Sequence, residues 1–145
     1  MTMKLFTFIS LILISLYFFS CSEETTKFEA VNPEAFAFDL SDEWEVNTSV
    51  VVKGFKSSEV GQKYAAKISF TVDLVTPEGV TKAKIADGIR DFSFDEEKGD
   101  VSLDSQFLLD STYSMGNYKV IFNIKDEIGN QQTKVEKTFE LSDED

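Results

Sequence analysis

The chain has no histidine and one cysteine, Cys21. Without imidazole it lacks the commonest general base and the commonest neutral metal ligand. No Ser or Thr sits in a nucleophile-elbow pattern, and no glycine-rich phosphate loop is present. Any chemistry would fall to carboxylates, of which there are 26. Two carboxylates across a bond can hydrolyse a glycoside. Among so many, some pair lies close by chance, and spacing singles out none. Oxygen-rich loops can also hold calcium. Asp126, Glu127 and Asn130 share one loop, and Asp95, Glu96, Glu97 and Asp100 share another. Neither has the spacing of a known calcium loop, so solvated acidic turns are the favoured reading. No metal or other cofactor is expected, and calcium at Asp126, Glu127 and Asn130 stands as the alternative. Trp44, Tyr64 and Tyr113 are candidates for an aromatic sugar platform. Tyr64 and Tyr113 have the parity of core residues. Trp44, in a polar segment, is the one retained as a ligand-binding candidate, against the ordinary role of a strand-end residue covering the core. No enzymatic activity is expected.

The charge balance excludes further classes. Net charge is −12, from 14 Lys+Arg against 26 Asp+Glu. Arg90 is the sole arginine. Such a chain has no electrostatic footprint for nucleic acid and is repelled by anionic headgroups. A single cysteine also excludes an internal disulfide.

The elements that must position these groups read as strands. In Gly116–Leu141, Tyr118, Val120, Phe122 and Ile124 alternate with Lys119, Asn123 and Lys125, the period of a half-buried strand. Asp126–Asn130 supplies a turn, with Gly129 free to take a positive φ and Asn130 tolerant of one. Val135, Phe139 and Leu141 then share a face, which makes a hairpin. Upstream, Tyr64–Leu74 alternates clearly, with Ala66, Ile68, Phe70 and Val72 between. Phe36, Phe38 and Leu40 suggest a first strand, and Val50–Phe55 a second. Val80–Ile85 and Ile89–Phe94 read as two strands separated by a turn at Ala86-Asp87-Gly88. Val101 to Tyr113 reads as one longer strand. Thr76-Pro77-Glu78-Gly79 has strong turn chemistry. About seven strands with turns every 8–12 residues predict an all-β antiparallel sandwich.

Gly116 and Tyr118 resemble the tyrosine corner of immunoglobulin-like sandwiches, where a Tyr hydroxyl bonds to upstream backbone. Gly-Asn-Tyr-Lys-Val…Asp-Glu-Ile-Gly-Asn is similar to the last two strands of bacterial immunoglobulin-like and fibronectin-III-like domains. The resemblance implies such a fold without the paired cysteines of antibody domains, and a structural role for Tyr118 and Gly116.

Lys4 followed by the apolar run Leu5–Phe19 is too short for a comfortable span and suits a signal peptide. With Ser20 before Cys21, it resembles a bacterial lipoprotein signal. That implies cleavage after residue 20 and acylation of Cys21, whose chains give durable anchoring. Ser22-Glu23-Glu24 is similar to the surface-export signal of Bacteroidetes lipoproteins. The implied organisation is a signal peptide over 1–20, an acylated cysteine and acidic tether over 21–33, and the sandwich over 34–145. The implied location is the outer membrane, with the acidic run after Cys21 pointing to the cell surface. The functional expectation is a non-enzymatic binding or adhesion module held to the membrane by lipid, with an envelope protein or glycan as partner. The alternative is an accessory subunit of an outer-membrane complex, and a glycan-active enzyme comes third.

Overall fold

The structure is a computed structural model that describes residues 26–143. The signal stretch, Cys21, Ser22, Glu23 and Glu24 lie outside the described residues. Eight strands follow in order: β1 (Glu29–Asp39), β2 (Glu43–Lys53), β3 (Ser58–Val60), β4 (Lys63–Val75), β5 (Thr81–Phe94), β6 (Asp100–Asp110), β7 (Gly116–Asp126) and β8 (Gln131–Leu141). They form two antiparallel sheets. One has the order β1-β2-β6; the other runs β5-β4-β7-β8, with short β3 also paired to β4. No described helix is long and apolar enough to cross a membrane.

Period-two patterning builds the core between the sheets. Val46, Val50 and Val52 of β2 face Ile68, Val72 and Leu74 of β4 and Tyr118, Val120, Phe122 and Ile124 of β7 in one cluster. Leu103 and Leu109 of β6 and Phe139 and Leu141 of β8 complete it. Each fully buried side chain of this size contributes roughly 1.5–3 kcal/mol relative to exposure. Trp44, Phe92, Phe94 and Tyr113 are half-buried and close its margins.

Several expectations are corrected. The stretch 21–33 is not a tether throughout, because Phe28 is buried and β1 already begins at Glu29. β1 also turns the opposite face inward from the one its phenylalanines suggest. Ala35 and Ala37 face the core, while Phe36, Phe38 and Leu40 are 50, 55 and 47 % exposed. The cause is a bulge between Val31 and Glu34, where β1 carries one more residue than β2 and Asn32 takes a φ of 51°. One inserted residue moves every later side chain to the other face. Pro33 fits there because β1 is an edge strand.

Ala86-Asp87-Gly88 is not a turn. It lies inside β5, paired to Val72, Thr71 and Phe70. The irregularity sits earlier, where Lys84 takes a φ of 58° and donates its backbone N–H to Asp73 Oδ1 at 2.8 Å. Trp44, expected in a polar segment, belongs to β2. The predicted turn at Thr76–Gly79 closes through Gly79 N–H donating to the Thr76 carbonyl at 2.9 Å.

Candidate functional site

The acidic hairpin between β7 and β8 is built around Asp126, which is fully buried. Its Oδ1 accepts from the backbone N–H of Ile128 (3.0 Å) and Gly129 (2.9 Å). Its Oδ2 accepts from the backbone N–H of Lys56 at 2.7 Å and from the Gln131 amide at 3.4 Å. Four donors therefore converge on one carboxylate, and one of them, the Lys56 N–H, stitches the β2–β3 loop to the β7–β8 turn. Gly129 does not take the positive φ; Asn130 does, at 51°. Gly129 is needed for a different reason. A Cβ there would collide with Asp126 Oδ2 and the Lys56 stem.

Glu127 leaves the same turn in another direction. The Ser69 hydroxyl donates to its Oε1, and Lys125 Nζ lies 2.7 Å from its Oε2. The Lys125 hydrogen bond, then that of Ser69, hold the Glu127 carboxyl below the ordinary glutamate range. Asp126 and Glu127 thus face N–H, O–H and ammonium donors, an environment built for a carboxylate and hostile to a cation. Among the described residues no three acidic side chains gather into a metal-holding group. In the second acidic loop Asp95 pairs with Lys63 at 3.5 Å, and Ser57 donates to Glu97 at 3.4 Å.

Tyr118, at the start of β7, is 2 % exposed and donates its hydroxyl to the Ser114 carbonyl at 2.6 Å. Burial pushes its pKa above the usual tyrosine value. Gly116, with a φ of 141°, brings the chain against the Pro77 ring. Its neighbours Phe139 and Tyr113 have ring centroids 5.7 and 6.4 Å from Tyr118. This ties the β6–β7 connection to the core.

The three aromatics weighed as a platform are not assembled as one. Trp44 and Tyr113 line one shallow groove of about 330 Å³ with Asp42 and Met115. Tyr64 lies at the opposite end of the sandwich, paired with Phe94 where β4 begins. Trp44 packs half-buried on the core margin.

Two open grooves lie on the outer faces of the sheets. The larger, about 770 Å³, crosses β5-β4-β7-β8 and is lined by Ser69, Thr71, Asp87, Asn123, Lys125 and Lys134 among others. Its charges are largely matched internally, with Lys84 3.8 Å from Asp87 and Lys125 on Glu127. The smaller, about 510 Å³, lies across β1-β2-β6, lined by Phe36, Asn47, Ser49, Arg90, Asp104 and Gln106. Sequence reasoning missed this second site. Its signal was the Asn32-Pro33 pair, whose turn chemistry implies a bulge and hence outward phenylalanines.

Comparison with known proteins gives no family. No family model matches, and no curated protein matches. Among solved structures, a structural genomics target of the Northeast consortium is 14 % identical, covering 84 % of this chain and 89 % of its own, at a TM-score of 0.44. The putative ApaA protein from Bordetella pertussis is 11 % identical, with 79 and 94 % coverage and a TM-score of 0.43. The β-glucosidase 3B from Thermotoga neapolitana is 12 % identical over 80 % of this chain, but that match spans 17 % of the glucosidase, at a TM-score of 0.38. Likeness at this level identifies no relative. The described chain is an all-β protein of two packed antiparallel sheets.

Proposed function

We propose that the protein is a lipid-anchored envelope protein whose immunoglobulin-like sandwich serves as a non-enzymatic binding module at the outer membrane. The strand partition carries the reading. With β1, β2, β4, β5, β6, β7 and β8 lettered A, B, C, C′, E, F and G, the sheets become A-B-E and C′-C-F-G, the division found in immunoglobulin-like sandwiches. The Tyr118–Ser114 bond at the start of strand F adds to it. In this reading Cys21 bears the lipid and Ser22-Glu23-Glu24 directs export to the surface. β1 begins at Glu29, a few residues after Cys21, so in this reading the sandwich stands close to the bilayer. The polar groups of the acidic turn are committed to holding strands together, and the open outer faces are left for ligands.

Mass spectrometry of the mature amino-terminal peptide tests the anchor. The expected result is a diacylglycerol thioether on Cys21. An unmodified thiol, or an intact residue 1–20, removes the reading. Protease shaving of whole cells then decides the face: loss of the sandwich from intact cells is the expected result.

A further inference from the structure

We infer that the outer face of the β1-β2-β6 sheet is a binding ledge for a neutral oligosaccharide, an inference that rests on the binding-module reading above and names its ligand class. The solvent face of a sandwich sheet is ordinarily polar. Here the bulge in β1 turns Phe36 and Phe38 outward, each about half exposed. They are two residues apart on one strand, so their rings are spaced by roughly 6.6–7 Å along one edge.

The rungs beside them carry planar polar groups. Phe36 lies opposite Asn47, and Asn47 opposite Gln106; Phe38 lies opposite Glu45. Asn47 Nδ2 donates to Glu45 Oε1 at 2.8 Å, which fixes the amide and carboxylate side by side. The Gln106 amide is exposed. At the end of the groove stands Arg90, the sole arginine. Its guanidinium lies 5.4 Å from the Phe70 ring centroid and donates to the Asp104 carbonyl at 3.3 Å. Gly88 leaves the space it needs, since a Cβ there would come within 2.9 Å of Arg90 Nη1.

Flat apolar rings beside fixed amide, carboxylate and guanidinium groups match the two surfaces of a pyranose. Its C–H face lies on an aromatic ring, and its hydroxyls meet planar donors and acceptors. The groove volume, about 510 Å³, falls in the ~300–1,000 Å³ range of small-ligand sites. Charge narrows the class. Glu45 and Asp104 flank the ledge, and Glu34 lies beside it, bonded by Ser49 at 3.4 Å. These carboxylates repel uronic acids, anionic lipid and a second copy of this acidic chain.

The test is affinity electrophoresis of the full chain in neutral detergent, in native gels cast with laminarin, xyloglucan, galactomannan or xylan. At least one polysaccharide is expected to retard the protein. Phe36→Ala and Gln106→Ala are each expected to weaken that retardation by about tenfold in Kd. Lys134→Ala, on the other sheet, is expected to leave it unchanged. Matching melting curves for the variants separate lost contacts from lost fold. Failure of all four polysaccharides to retard the protein overturns the inference, as does retardation unaffected by both ledge variants. Neither failure touches the Cys21 lipid, so the anchor and the ligand class stand or fall separately.

Discussion

Asp126 shows how a single carboxylate can read as a ligand and serve as a staple. In the linear chain it is one of three oxygen-bearing residues in a turn. In the fold it is buried and saturated by N–H donors from two loops. Asp126→Ala leaves those buried donors unsatisfied and is expected to cost about 3 kcal/mol, read as a lowered urea midpoint. Asp126→Asn keeps an acceptor on one side only and is expected to fall between. Tyr118 gives a pH prediction whose sign follows from its raised pKa. The folded state holds the phenolic proton more tightly than the unfolded state does. That contribution to stability is fully present below the unfolded tyrosine value near pH 10 and is lost as pH rises through the folded one. Tyr118→Phe therefore loses about 1 kcal/mol at neutral pH with the Ser114 bond. Its urea midpoint should also fall less steeply above about pH 10 than that of the wild type.

At the scale of elements, alternation identified the strands but not always their faces. β4 and β7 were legible because both run without interruption. Ala66 to Leu74 and Tyr118 to Ile124 are buried at every second position. The strand at Phe36 and Phe38 is legible in β1 but its face is not, because the bulge lies before the phenylalanines and transmits its shift to everything after it. Turn chemistry at Asp87-Gly88 divides β5 in two when the sequence is read alone. The fourteen-residue strand survives there because pairing with β4 overrides local preference. The two faces of the sandwich predict contrasting substitutions. Phe122→Ala, at a site 1 % exposed, is expected to cost about 3–5 kcal/mol through the cavity it leaves. Phe38→Ala, on the outer face, is expected to stay within about 0.5 kcal/mol. Equal losses in denaturant melts of the two would contradict the bulge.

For the whole molecule, electrostatics is dominated by excess negative charge. A net charge of −12 repels itself, and salt screens that repulsion over about 10 Å at 0.1 M. The melting temperature should therefore rise with ionic strength. Because the acidic turns are closed by their own donors, CaCl₂ and NaCl at matched ionic strength should give superimposable melts. A specific rise with calcium, reversed by EDTA, would show a site that ligand linkage reveals. The five ion pairs among the described residues are solvent-facing and add little to stability. Composition and period-two patterning by themselves determined the all-β class and most of the core, because burying one face of a strand forces alternation. Only the tertiary structure decided which way Phe36 and Phe38 point and what Asp126 does. A face is set by register against a partner strand, and a carboxylate's role by donors brought from loops that are distant in the chain.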